Sequence, residues 1–513
     1  MTLRPNYLAM TEIVVIASLA VACFGLLLWL VVPAPPVGFY WDDAWYLMMA
    51  EWLSGRSEHR DLAWAMLHVR QYPPGYPTVL AAVGAGLQRP DAGFVVNAVS
   101  GALAAFALML WMRRRERFPM VPTVVAAALL VLNPVALTWL PTLFSEPLFV
   151  LLTVAALWLA ACARTPQGWV LTGVVVGLAI ITRSAGIALL IAVALSAALR
   201  QWRQLPWLVL GLGPALALGY WLTIDLPSVP RYRASLAELA GDLVHPAYLS
   251  AQLAGLARGW SEVWGSAAGG WIALAAVIPG FWVRIRRHCA DAWLIPATLL
   301  MLIAWPFPGH MARFLWPLMP ALLVCAAETA RCIAATPLRR AASWTIPFIF
   351  ALGLYGGAIR TISRVIESPG PPLQTLSRMH EWTRAENPEL GTEALQFRHG
   401  LLLDMRQVEA ETPANACVYS EYPALVAVQA KRASLASPWQ RLSELTNHPL
   451  HCGFYYLVPL ALPQTTAEDI ERIGEQHDVL FGPPNPQAPS SEKPVGVLFR
   501  LNSNLGESAR EQP

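Results

Sequence analysis

The sequence predicts a polytopic α-helical membrane protein with a small C-terminal α/β domain, and three observations predict it. Of 513 residues, 56% are hydrophobic and only 13% charged, against roughly 25% charged in an ordinary soluble domain. Apolar runs recur at lengths able to cross about 30 Å of hydrocarbon, which takes roughly 17–25 helical residues. Charge also divides the chain: 30 of the 69 charged residues fall in 361–513, about 20% of that stretch against about 11% of 1–360. The first 360 residues therefore read as a membrane domain and 361–513 as a domain facing water.

This composition excludes a water-soluble enzyme, and the balance of 36 basic against 33 acidic residues excludes a polybasic nucleic-acid binder. Lysine stands only at Lys431 and Lys493; the excess of arginine reads as the codon bias of a GC-rich bacterium rather than as chemistry.

Membrane-crossing runs are expected at about 11–32, 93–112, 119–138, 142–163, 167–182, 184–199, 206–224, 269–283, 291–306, 313–333 and 342–360. The first should remain as a helix, because it is longer than a signal-peptide core and its Pro33–Pro36 exit has no small-x-small cleavage site. Arginines sit on alternate connections: Arg4, Arg113–Arg117, Arg164, Arg200/Arg203, Arg284–Arg287 and Arg331–Arg340. Cytoplasmic loops retain positive charge. Eleven crossings, with 73–89 as a re-entrant or interfacial helix, place all of these clusters in the cytoplasm. The amino terminus is then inside and the tail outside. Counting 73–89 as a crossing gives twelve or thirteen. In either case 33–72 and 225–268 are long loops on the external face.

The first of those loops begins Phe39-Tyr40-Trp41-Asp42-Asp43-Ala44-Trp45-Tyr46 and later reads Gln71-Tyr72-Pro73-Pro74-Gly75-Tyr76-Pro77. Adjacent carboxylates wrapped in Trp41, Trp45 and Tyr46 are suited to act as base or metal ligand, since a carboxylate against apolar rings gains proton affinity and can activate a hydroxyl. Asp42 and Asp43 are the leading candidates. A plainer reading makes Asp42 the amino-terminal cap of a helix over Ala44–Trp52.

In the order of several short motifs the chain resembles the GT-C-type polytopic glycosyltransferases, in the branch of protein O-mannosyltransferases and aminoarabinose transferases. Those motifs are Trp41-Asp42-Asp43-Ala44-Trp45-Tyr46, Pro73–Pro77, Phe144-Ser145-Glu146-Pro147-Leu148, Thr182-Arg183-Ser184-Ala185-Gly186 and Arg313–Pro320. The resemblance implies a polyprenyl-phosphate-linked sugar donor, inverting transfer outside a bacterial cytoplasmic membrane, and a soluble C-terminal domain. Carried over residue by residue, Asp42 would be the general base and Asp43 its partner, with Trp41, Tyr46, Tyr72 and Glu146 around the substrate. Some relatives in the wider fold use a divalent cation, so Mg²⁺ or Mn²⁺ is open. This chain departs from the pattern where a basic residue precedes the Pro-Pro pair in many relatives. Gln71-Tyr72 stand there, and Arg70 is the nearest substitute.

A phosphate leaving group needs fixed positive charge, and guanidinium offers paired donors to it. Arg313 and then Arg183 are the candidates, with Arg70 third. Their plainer roles are snorkelling for Arg313 and an ion pair within the bundle for Arg183. For Glu146 a capping role at a helix start is expected, with arginine pairing and the substrate cavity as alternatives. His59, His68, His245 and His310 show no metal-ligand spacing, and no phosphate loop or Gly-x-Ser-x-Gly elbow is present.

The tail should alternate strands (416–420, 425–429, 453–458, 479–481, 496–501) with helical stretches such as Glu468–Gln476. Its two cysteines, Cys417 and Cys452, would suit a disulfide outside the cytoplasm, or two buried thiols. The functional expectation is a membrane glycosyltransferase acting on an envelope lipid, glycan or protein acceptor. The alternative is a non-catalytic transporter or scaffold for lipid-linked glycans. The absence of an internal repeat and the placement of the polar residues at an external edge favour the enzyme.

Overall fold

The computed structural model describes residues 10–31, 37, 42–55, 72–87, 89–140, 142–224, 245–305, 308–334, 391–420, 422–436, 453–457, 475, 478–482 and 496–501. The expected crossing at 342–360, and with it Trp41, Arg70, Cys452 and nearly all of Glu468–Gln476, lies outside the described residues. The chain divides into two compact units. One comprises Met1–Ala34, Gln71–Val83 and Asp91–Glu367; the other comprises Pro35–Arg70, Gly84–Pro90 and Ser368–Pro513.

The first unit is a helix bundle. Its elements are α1 (Met10–Val31), α3 (Gly75–Ala82), α4 (Asp91–Leu110, continued by a π-turn Trp111–Arg115), α5 (Met120–Leu132), α6 (Pro134–Trp139), α7 (Glu146–Cys162), α8 (Pro166–Thr182), α9 (Gly186–Gln201), α10 (Leu205–Thr223), α11 (Pro246–Val263), α12 (Ala267–Arg286), α13 (Ala290–Ile303), α14 (Met311–Leu315) and α15 (Met319–Ala334). Among the described residues, five helical stretches are long and apolar enough to cross a membrane: Thr11–Leu28, Asp91–Arg115, Gly186–Thr223, Ala267–Arg286 and Met311–Ala334. The helices α5, α7, α8 and α13 are apolar but shorter. The stretch Gly186–Thr223 is two helices joined by the 3-10 turn Trp202–Gln204, as the separate runs 184–199 and 206–224 predict. Residues 73–89 form only the eight-residue α3, followed by a bridge between Gly86 and Arg89. At about 1.5 Å per residue that helix is far too short to cross.

Packing follows sequence neighbourhood and small residues. The α1 helix packs on α4, α4 on α7, α7 on α8, α9 on α13 and α12 on α15. Because Gly173 and Gly211 carry no Cβ, α8 and α10 bring their backbones together at Leu208 and Val170, the small-residue device of lipid-embedded helices. The exposed large apolar side chains, among them Leu210, Trp221, Trp271 and Leu300, form the outer surface expected of a bundle solvated by acyl chains.

The second unit contains α2 (Asp42–Leu53), α16 (Gly391–Glu411), α17 (Pro423–Gln429) and five strands: β1 (Cys417–Ser420), β2 (Ala433–Ala436), β3 (Phe454–Leu457), β4 (Asp478–Phe481) and β5 (Val497–Arg500). The strand order is β2-β1-β3-β5-β4. The β1 strand runs parallel to both β2 and β3, while β5 is antiparallel to β3 and β4. One expectation is corrected here. Residues 425–429 are helix rather than strand, because Pro423 opens a helical first turn and Leu425 and Val426 pack with Leu401, Met405 and Val408 of α16. The strand β2 and the 21-residue α16 were not expected at all. The core is tied by Asp404, which accepts from Tyr456 Oη at 2.5 Å and Gly496 N at 2.7 Å. Arg432 closes the carboxyl end of α16 by donating to Glu409 O and Thr412 O. Cys417 is disulfide-bonded.

Candidate functional site

In the bundle, two of the singled-out arginines meet one carboxylate. Glu146 is the first residue of α7 and Pro147 the next; a residue without an N–H is tolerated there, where the N–H would lack a helical partner. Glu146 is fully buried. Arg183 Nη1 lies 2.6 Å from Glu146 Oε1 and donates to Ser145 Oγ at 3.1 Å. Arg313 Nε pairs with the same Oε1. The second oxygen, Oε2, is buried without a hydrogen-bond partner among the described residues. The expected capping role of Glu146 is thus not observed: its side chain receives two guanidiniums across the bundle. Arg313 is only 8% exposed, so it pairs inside rather than snorkelling to the interface.

Local sequence explains how these groups converge. Arg183 follows α8 in extended backbone, and a tight turn from Arg183 O to Gly186 N leads into α9. Arg313 lies within α14, which passes through the 3-10 turn Trp316–Leu318 into α15. The helix α11 lies against α14: a Cβ built on Gly259 would sit 2.5 Å from Ala312 N. Tyr76, from the Pro-Pro-Gly-Tyr-Pro segment, donates to Asn97 at 2.9 Å, and Asn97 in turn donates to Thr142 O at 2.5 Å. That chain steadies the turn carrying Phe144, Ser145 and Glu146.

Aromatic rings complete the setting. The Arg313 guanidinium lies 4.0 Å from the Phe144 ring centre and 5.5 Å from that of Trp139, while Arg183 lies 5.5 Å from that of Phe314. Rings facing a cation add attraction without neutralising it. Arg183 Nε and Nη2 have no hydrogen-bond partner among the described residues, so one edge of that fork is available to an anion. A small apolar cavity of about 20 Å³ adjoins Phe314, Ala185, Phe149 and Thr298. Ser145, Phe144, Trp139 and Phe314 were not singled out from sequence as site residues, although three of them stand inside or beside the quoted motifs. An aromatic next to an intramembrane arginine is the signal that would have found them.

In the second unit, Asp42 and Asp43 form the first turn of α2, where the amino-terminal end of the helix dipole favours negative charge. The helix begins at Asp42 itself rather than at Ala44. Asp43 is 4% exposed and its Oδ1 accepts from Ala44 N at 2.8 Å. Trp45 and Tyr46 are buried. Further along α2, Glu51 Oε1 accepts from Leu87 N at 2.7 Å; α2 packs on α17, and Gln429 Nε2 donates to Val37 O at 2.7 Å. Tyr72, in the bundle unit, is half-buried. Among the described residues no group of three His, Cys, Asp or Glu gathers as a metal site.

Comparison with known proteins agrees with this architecture. Residues 77–222 match the family described as dolichyl-phosphate-mannose-protein mannosyltransferase. The crystal structure of ArnT from Cupriavidus metallidurans bound to undecaprenyl phosphate superposes with a TM-score of 0.52 at 14% identity, covering 97% of this chain and 99% of that one. The apo state of the same protein gives 0.51 at 14% identity, over 96% and 98% of the two chains. The chain, with several apolar helices of membrane-crossing length, shares the GT-C-like fold of that structure. Sequence comparison with characterised proteins gives no match.

Proposed function

We propose that this GT-C protein transfers a sugar from a polyprenyl-phosphate donor to an envelope acceptor (lipid, glycan or protein) at the extracytoplasmic face of a bacterial cytoplasmic membrane. The observation that carries the proposal is the convergence of Arg183 and Arg313 on buried Glu146 at one end of the bundle. Desolvated guanidiniums held by a carboxylate are preorganised charge, and charge fixed before reaction costs no reorganisation when a phosphate leaves. The undecaprenyl phosphate bound by the ArnT crystal structure is the kind of leaving group such charge would receive.

In this reading Asp42 takes the proton of the acceptor hydroxyl and Asp43 orients α2. The acceptor oxygen attacks the anomeric carbon from the face opposite the phosphate, so configuration inverts. The bond from anomeric carbon to phosphate oxygen breaks, and polyprenyl phosphate departs with the electron pair towards Arg313 and Arg183, with Arg70 a third contact. Tyr46, Tyr72 and Trp41 shape the sugar's surroundings. Adjacent carboxylates are the hard oxygen ligands that Mg²⁺ or Mn²⁺ accepts together with a substrate phosphate, and Asp42 and Asp43 would be the residues to hold one.

The test is sugar transfer or release from radiolabelled polyprenyl-phosphate sugars by purified protein, wild type against Asp42→Asn at equal folded amount. Turnover of one donor by the wild type and its loss in the variant are expected. Equal turnover would remove Asp42 as the base. Binding of a donor without turnover by either protein would favour a transporter or scaffold.

A further inference from the structure

At the far end of the bundle from Glu146, five arginines line a cavity of about 260 Å³: Arg115, Arg200, Arg284, Arg287 and Arg331. The carboxyl ends of α4, α7, α9, α12 and α15 meet there with the start of α13. The 17-residue α7 separates the two arginine groups by about 25 Å at 1.5 Å per residue, so they sit at opposite ends of a bundle that matches the membrane in length.

The charges in this cavity are unequally committed. Arg284, 2% exposed, pairs with Glu116 at 2.9 Å, Asp291 at 2.5 Å and Glu328 at 3.9 Å. Arg287 and Arg331 also pair with Glu328. Three carboxylates are thereby committed to three arginines, whereas Arg115 and Arg200 have no hydrogen bond or ion pair among the described residues. A signal for membrane orientation alone needs arginines on an exposed surface. It does not need a buried arginine holding three acids around a hollow that two further arginines border.

We propose that this cavity is a second anion site, distinct from the Glu146 end, which binds the phosphate group of a phosphoester. Arg115 and Arg200 supply the paired donors, and the Arg284 cluster fixes the wall. Guanidinium forks match phosphate oxygens in pairs. The volume holds a phosphate and a short polar stub and lies below the roughly 300–1,000 Å³ of pockets for larger ligands. A stripe of exposed apolar residues on α9, Ile187, Ile191, Leu195 and Leu199, runs at helical spacing to Arg200. An acyl chain lying along that stripe would bring its headgroup to the cavity, so the stripe favours a phospholipid over a soluble phosphoester.

Cys289 lines the cavity and Cys332 does not, which gives the native protein a built-in reporter. Burial pushes the Cys289 thiol up to about 11, so alkylation is followed at mildly alkaline pH by site-resolved mass spectrometry. The full chain is reconstituted in phosphatidylcholine with or without phosphatidylglycerol, and separately titrated in detergent with inorganic phosphate. Occupancy should slow Cys289 relative to Cys332 by about tenfold, with the effect abolished in the double variant Arg115→Gln/Arg200→Gln. Protection by phosphatidylglycerol alone identifies a lipid headgroup; protection by inorganic phosphate alone identifies a soluble ligand. If neither slows Cys289 in the native protein, or the folded double variant is protected equally, the site does not exist. The native-protein arm decides the matter even where the double variant fails to fold.

Discussion

Glu146 is a single, fully buried carboxylate serving two guanidiniums, and that arrangement decides what its loss does. Replacing it by Gln leaves buried Arg313 and partly buried Arg183 without their anion, a change worth about 3–5 kcal/mol when a buried pair is broken from one side. Glu146→Gln should therefore lower the melting temperature in detergent steeply, and it should abolish donor turnover in whatever fraction stays folded. Arg183→Lys separates the two effects. It keeps a cation near Ser145 and Glu146 but removes the second edge of the fork, so stability should hold while the KM for the donor rises about tenfold, the loss of one charge-assisted hydrogen bond. An unchanged KM would show that Arg183 only ties α8 to α7. At the other end, Glu116 is half-enclosed by arginines. Burial alone would raise its pKa, but the hydrogen bonds and charge of Arg284, with Arg115, outweigh burial and hold it below its ordinary value. A depressed carboxylate stabilises the fold above the unfolded-state pKa and loses that contribution as pH falls through the folded one. Thermal stability should accordingly decline below about pH 4.5, and Glu116→Gln should flatten that decline while lowering stability at neutral pH.

Among the elements, the short helix α14 carries the consequence of a contact far along the sequence. Gly259 of α11 touches the backbone of Met311–Ala312 so closely that a Cβ would lie 2.5 Å from Ala312 N. Gly259→Ala should push α14 outward, and a displacement near 1 Å in a positioned charge is enough to cost about a hundredfold in rate. The measurement is turnover at saturating donor, with circular dichroism to show that helix content is kept; full activity would mean that α14 is anchored by α15 alone. This contact also marks the limit of what the sequence discloses. Ten of the expected crossings have helical counterparts, because an apolar run in lipid has no alternative to satisfying its own backbone. The acidic pair, Glu146, Arg183 and Arg313 were visible as polar residues out of place. What pairs with what was not: Glu146 and Arg313 are 167 residues apart, and no local pattern encodes their meeting. Likewise the Leu-Val-Ala-Val stretch at 425–428 reads as strand by β-branching, yet packing against α16 makes it helix, and α16 itself was obscured by a mixed, weakly periodic sequence.

For the whole molecule, the strongest constraint is that α7 has one arginine group at each end. Positive charge stays in the cytoplasm, so the surface-borne group, with Arg200, Arg203 and Arg287, should face inside, and the largely enclosed group at Glu146 should face outside. Enclosure is what permits arginine on the outer side: Arg313 is paired with buried Glu146, whereas Arg203 is exposed and, among the described residues, stacks on its neighbour Trp202. Sidedness can be read without reference to activity. In a background with the exposed Cys162 and Cys332 changed to Ser, Arg203→Cys should react with a membrane-impermeant maleimide in inside-out vesicles and remain unlabelled in right-side-out ones. Labelling from the outer side would invert the bundle and place the Glu146 cluster in the cytoplasm. Transfer would then have to draw on a donor presented on the cytoplasmic leaflet, and the second arginine cavity, not the first, would face the envelope.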